Sequence, residues 1–116
     1  MVLPEKGHLL RIFIGESDRY HGVPLYEWIV NKARENGLAG ATVLRGLEGF
    51  GAHSRIHSSK ILRLSDDLPI IIEIVDTLDK IDNFIPIIDE AIEEGLATVE
   101  KVDIRFYRSG KKKEKL

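Results

Sequence analysis

The stretch "IIIEIVDTLDKIDNFIPIIDEAIEEGLATVEKVDIRFYR", residues 70–108, changes its hydrophobic period twice. Residues 70–76 are almost continuously apolar, the pattern of a central strand. Thr77 is an N-cap type of residue, and after it Ile81, Phe84, Ile85, Ile88 and Ile92 recur at helical spacing until Gly95. Pro86 conflicts with an unbroken helix, because it removes one N–H and its ring clashes with the carbonyl of Asp82. A kink or a restart is therefore expected there. Val102, Ile104 and Phe106 then alternate, which predicts a last strand over 97–108. The stretch reads as strand, helix, strand.

The first half of the chain reads the same way. "HLLRIFIG", 8–15, alternates at Leu10, Ile12 and Ile14 and predicts a strand; "ESDRYHG", 16–22, is a polar loop. Pro24 suits the first turn of a helix. Leu25, Ile29 and Ala33 fall at i, i+4 and i+8, widened by Trp28 and Val30, and Gly37 is placed as a left-handed stop, giving a helix over 24–36. "GATVLRGLEGF", 40–50, returns to strand, "KILRL", 60–64, is strand-like, and "SDDLP", 65–69, turns the chain. The order β-α-β-β-α-β predicts an α+β, ferredoxin-like fold in which two helices cover one face of a four-stranded antiparallel sheet. The strands carry apolar side chains on both faces, so one face is left over and self-association is expected.

With 116 residues the chain is long enough for one core. Residues 1–108 are read as a single domain and 109–116 as a basic, flexible, solvated tail. A net charge of −2, from 17 basic and 19 acidic residues, does not fit a dedicated nucleic-acid binder. The absence of cysteine excludes disulfides, thiolate metal sites and a thiol nucleophile, and it fits the cytoplasm. No apolar run approaches the ~18 residues of a membrane span, and the N-terminus lacks a secretory layout.

The segment "RGLEGFGAHSRIHSSK", 45–60, concentrates polar, conformationally free residues between apolar runs. Gly46, Gly49 and Gly51 let backbone N–H groups approach a phosphate, or else serve hairpin geometry alone. Arg45, Arg55, Arg105 and Arg108 are candidates for an anion, since the planar guanidinium bonds two oxygens at once; surface ion pairing is the alternative for each. His53 and His57 are four apart, but a metal site there would need a helix and a third ligand, and a Ser- and Gly-rich segment does not favour one. Glu16 and Asp18 flank Ser17 and offer paired carboxylates for acid–base work or Mg²⁺, or a solvated turn. No grouping suggests hydrolysis.

The stretch "GLAGATVLRGLEGFG", 37–51, resembles the part of the signalling protein PII that leaves its first helix, forms its second strand and enters its T-loop. The matching residues are Gly37, Gly40, Thr42, Val43, Gly49, Phe50 and Gly51, and "IEIV", 72–75, resembles the third strand. The longer run "PLYEWIVNKARENGLAGATVLRGLEGFGAHSRIH", 24–57, is similar to an uncharacterised branch of PII-like proteins, a domain of unknown function. The resemblance implies a homotrimer with adenine nucleotides in clefts between subunits. It implies a nucleotide site drawn from Thr42, Arg45, Gly46, Gly49, Phe50, Gly51, Leu64, Arg105 and Arg108. It also implies that loop 51–60, with His53, Arg55, His57 and Lys60, moves until a ligand or partner fixes it and then docks on an enzyme, channel or transporter. No catalytic residue, resident cofactor or metal is implied. The family's basic phosphate loop has no counterpart in "EEGLATVEKVD", 93–103, whose only cation is Lys101, so ADP or AMP is expected over ATP. Loop 51–60 is shorter than a full T-loop and lacks its tyrosine, which argues against control by tyrosine modification. Two other readings use the same cleft. One is a small trimeric enzyme with Glu16, Asp18 or a loop histidine as base, and the other is a metal-tolerance protein holding metal through His53 and His57.

Overall fold

A computed structural model describes residues 3–51, 57–58 and 67–110 of the chain. Strand β1 (Lys6–Gly15) is followed by the short β2 (Arg19–Tyr20) and β3 (Val23–Pro24), then helix α1 (Leu25–Glu35). Next come β4 (Thr42–Arg45), β5 (Glu48–Gly49), β6 (His57–Ser58), β7 (Pro69–Asp76), helix α2 (Leu78–Ala91) and β8 (Leu96–Asp103). The main sheet is antiparallel in the order β4-β7-β1-β8. Each βαβ half is thus split by a strand from the other half, the ferredoxin-like arrangement.

Both helices lie on one face because each carries a single apolar stripe. In α1 the buried residues are Leu25, Ile29 and Ala33; in α2 they are Ile81, Phe84, Ile88 and Ala91. They pack on Leu10, Ile12 and Ile14 of β1 and on Ile70, Ile72 and Ile74 of β7. The αL stop predicted at Gly37 is present, with φ 76°.

Several boundaries differ from the sequence-based expectation, each for a physical reason. Pro24 is the N-cap of α1, with ψ 132°, so it stands one residue before the helix. The loop expected at 16–22 includes a tight β2–β3 hairpin. His21 and Gly22, at φ 52° and 82°, supply the two left-handed residues that such a turn requires. Helix α2 runs through Pro86 without a restart. The lost bond and ring clash cost about 3 kcal/mol, whereas burying Ile81, Phe84 and Ile88 on both sides of the proline contributes about 1.5–3 kcal/mol each. Gly95 is not the helix stop, since Ile92 caps α2. A Cβ at Gly95 would lie 2.7 Å from the carbonyl oxygen of Phe13, so a close backbone approach calls for glycine there.

The strand expected over 97–108 ends at Asp103. Its partner β1 begins at Lys6, which pairs with Asp103, so the alternating residues beyond have no strand to join. The strand expected over 40–50 is divided, with only β4 in the main sheet and the two-residue β5 outside it. Its pairing with β7 closes at Arg45↔Ile70, Gly46 N–H then donates to the Pro69 carbonyl (2.7 Å), and the chain leaves the sheet for the β5–β6 ribbon. The strand-like 60–64 and the tail 111–116 lie outside the described residues.

The face opposite the helices is uncovered. By register it carries Leu9, Arg11 and Phe13 of β1, Ile71, Glu73 and Val75 of β7, and the neighbours paired with them. At its centre Arg11 Nε donates to Glu73 (2.9 Å) and Nη1 to Glu100 (3.2 Å). The hydrogen bond to Glu73, above all, holds the guanidinium still more firmly protonated than usual.

Candidate functional site

Two hollows open on this uncovered face, one at each end. Leu9 borders the first and Phe13 the second, with Arg11 between them. At the rise of an extended strand the two are about 13 Å apart.

The first hollow, about 460 Å³, lies between Thr42, Glu73, Val75, Arg105 and Tyr107. Its wall is built by the connection from α1 to β4. The Gly37 carbonyl accepts from Lys80 Nζ (2.9 Å), and the Ala39 N–H donates to Asp76 Oδ2 (2.8 Å). Asp76 is 1% exposed, and its other oxygen accepts the Thr77 N–H (2.7 Å) where α2 begins. A buried carboxylate is tolerable here because backbone donors satisfy both oxygens. Across the hollow, Tyr107 Oη donates to the Ala39 carbonyl (2.6 Å).

The second hollow, about 630 Å³, lies between the glycine-rich exit from β4 and the apolar Phe13, Ile71 and Leu96. A Cβ at Gly46 or Gly49 would come within 3.2 or 3.1 Å of the Pro69 ring, so side chains there would crowd the wall. Four carboxylates border the space: Asp18, Glu48, Asp67 and Glu94. Burial pushes the Asp18 pKa up, and Asp67, Glu94 and Glu93 add to the rise, against the Gly15 N–H that donates to Asp18 Oδ2 (3.0 Å).

This shift has a sign that can be tested. A carboxyl whose folded pKa lies above its unfolded value contributes stability at low pH and loses it as pH rises through the folded value. Near neutrality the ionised Asp18 therefore burdens the fold. Asp18→Asn keeps an oxygen for the Gly15 N–H and should raise Tm near neutral pH. The gain should shrink toward zero as pH falls into the range where Asp18 takes up its proton. Melting curves of both proteins from acid to neutral pH check this, and an equal difference at every pH would contradict it.

The family profile DUF190, described as "Uncharacterized ACR", matches residues 7–104. The chain belongs to the DUF190 family. A relative named "UPF0166 protein" from Aquifex aeolicus is 38% identical over 101 residues, covering 87% of this chain and 95% of the relative. Among solved structures, CPII from Thiomonas intermedia K12, a nitrogen regulatory PII-like protein bound to ADP, AMP and bicarbonate, is similar at TM-score 0.59 and 17% identity. The match covers 85% of this chain and 88% of that one. A PII-like signalling protein from Thermus thermophilus is similar at TM-score 0.60 and 18% identity, over 85% of this chain and 89% of that one. The fold of this DUF190 chain is thus PII-like.

Within the DUF190 chain the residues singled out from the sequence divide between the two hollows. Thr42 and Arg105 border the first; Gly46, Gly49, Phe50 and Gly51 border the second. Arg45 borders neither, and both its Nε and Nη2 donate to Glu16 Oε1 (3.1 and 3.0 Å). Arg108 lies 4.2 Å from the centre of the Phe106 ring, outside both. Glu16 and Asp18 are likewise separated in role, one pairing with Arg45 and the other bonding Gly15. Leu64, His53, Arg55 and Lys60, the side chain of His57, and most of loop 51–60 lie outside the described residues. Among the described residues no group of three potential ligands could hold a metal ion, and no helix is long and apolar enough to cross a membrane.

Sequence reasoning missed Asp76, Tyr107, Asp67 and Glu94. A signal existed for Asp76, an acid ending a strongly apolar strand and directly preceding an N-cap threonine. The other three are brought to the hollows by tertiary structure.

Proposed function

We propose that this DUF190 protein is a PII-like regulator: a homotrimer that binds an adenine nucleotide in the clefts between its subunits. The observation that carries this is the division of the candidate residues between opposite ends of one uncovered, largely apolar face. No single chain can bring Thr42 and Arg105 to the glycine hollow, but a second copy can, by setting one end of its face against the other end of its neighbour. A contact between two different patches generates a ring when its rotation closes, and three copies would make the proposed trimer. The ADP and AMP in the similar CPII structure favour an adenine nucleotide as the occupant.

Charge narrows the ligand further. Among the described residues Arg105 has no carboxylate partner within ion-pair distance, unlike Arg11 and Arg45. Among the described residues the glycine hollow is bordered by carboxylates and by no Lys or Arg. Each further phosphate placed there meets like charge, so AMP or ADP is favoured over ATP. Loop 51–60 continues from Gly51 at the rim of this hollow. Ligand binding would shift its population and alter affinity for an enzyme, channel or transporter in the cytoplasm. Residues 1–108 would form the working domain, with 109–116 as a solvated tail.

Calorimetry with AMP, ADP and ATP tests the reading. Arg105→Ala should weaken nucleotide binding by about 1–3 kcal/mol, the scale of a charge-assisted hydrogen bond. Tightest binding to ATP, or equal affinity in the variant, would refute it.

A further inference from the structure

We infer that Tyr107 is a positioning residue that sets where Arg105 stands relative to Thr42. The inference rests on the first hollow being half of the nucleotide cleft proposed above. Thr42 and Arg105 belong to separate parts of the chain. Thr42 opens β4, whereas Arg105 lies beyond the end of β8, in a segment with no strand partner.

Among the described residues two hydrogen bonds tie residues 104–108 to the rest of the fold. Ile104 N–H donates to the Glu5 carbonyl (2.7 Å), and Tyr107 Oη donates to the Ala39 carbonyl (2.6 Å). Arg105 sits between these two anchors. Without the second, the chain from Arg105 onward is held at one end only, and Phe106, 68% exposed, adds little packing.

The acceptor is itself fixed. The Ala39 N–H is held by buried Asp76, so one residue is gripped on its N–H side by β7 and on its carbonyl side by Tyr107. Ala39 stands three positions before Thr42, and both border the hollow. The tyrosine hydroxyl therefore joins the two walls that carry the candidate ligand-binding groups. A group held in place before binding forms its bond with less ordering entropy to lose. Tyr107 does this for Arg105 through its bond to the Ala39 carbonyl.

Tyr107→Phe removes the hydroxyl and keeps the ring. Its AMP affinity should fall about three- to tenfold, the scale of one net hydrogen bond, while adenosine, which has no phosphate for Arg105, should bind unchanged. In the Arg105→Ala background the second substitution should add nothing further. In ligand-free protein, amide hydrogen exchange should quicken at 40–42 and 105–107 with Tm preserved. Equal losses for AMP and adenosine, or additive losses in the double variant, would overturn the positioning role. An unchanged exchange pattern would overturn the tether itself. Failure of the unaltered protein to bind any adenine nucleotide or adenosine would instead overturn the cleft reading, whatever the exchange data show.

Discussion

Asp76→Ala is expected to destabilise the protein by about 2–4 kcal/mol, because two backbone donors lose their acceptor at once and each orphaned buried group costs about 1–3 kcal/mol. The donors are Ala39 N–H and Thr77 N–H, at 2.8 and 2.7 Å from the carboxylate. Asp76 is almost fully buried, so water has poor access to replace it. Asp76→Asn retains one oxygen and should lose roughly half as much. Denaturant unfolding of the three proteins, with a shift in midpoint at constant slope, measures the effect. A loss below about 0.5 kcal/mol for the alanine variant, the range of an ordinary surface substitution, would mean that the freed donors find new partners. The same change should also loosen 39–42 and weaken the proposed nucleotide binding, since Ala39 would keep only its bond to Tyr107.

What could be read in the sequence was what neighbouring residues decide among themselves. The alternation at Leu10, Ile12 and Ile14, the spacing of Leu25, Ile29 and Ala33, the cap at Thr77 and the stop at Gly37 are all local, and all are present. The boundaries that moved depend on distant partners. Val102, Ile104 and Phe106 keep the strand period, yet the strand ends at Asp103 because β1 begins at Lys6. The proline in α2 is overruled by burial on either side of it.

The site followed the same rule. Thr42 and Gly46 are four residues apart and look like one motif, but an extended strand carries them toward different hollows. Tyr107 reaches Ala39 across 68 positions, which no local pattern reports. The acidic character of the glycine hollow comes from four separate segments, so only the missing basic loop was visible beforehand.

On the trimeric reading proposed above, Leu44→Glu is expected to leave a folded monomer that does not bind nucleotide. By register Leu44, Ile71, Phe13 and Leu96 form one apolar row across all four strands of the uncovered face. Ile71 and Phe13 are half-buried by their neighbours, while Leu44 and Leu96 at the ends stay 45% and 56% exposed. The ends therefore have the most apolar surface left for another copy to cover. Leu96 borders the glycine hollow, so changing it would confuse assembly with binding; Leu44 borders neither hollow. In a single chain the substitution falls at an exposed position and should alter stability by no more than about 0.5 kcal/mol. In the proposed ring it would place a carboxylate in an apolar seam, a penalty of several kcal/mol per ion, incurred in every copy. Sedimentation should then show a monomer with the circular dichroism of the unaltered protein, and calorimetry should show no heat with AMP. A variant that stays trimeric and binds would mean that the row faces solvent in the assembly. A monomer that still binds AMP at full affinity would place the whole site within one chain. That outcome would remove the reason for a ring, since the cleft would no longer need the two ends of the face to meet.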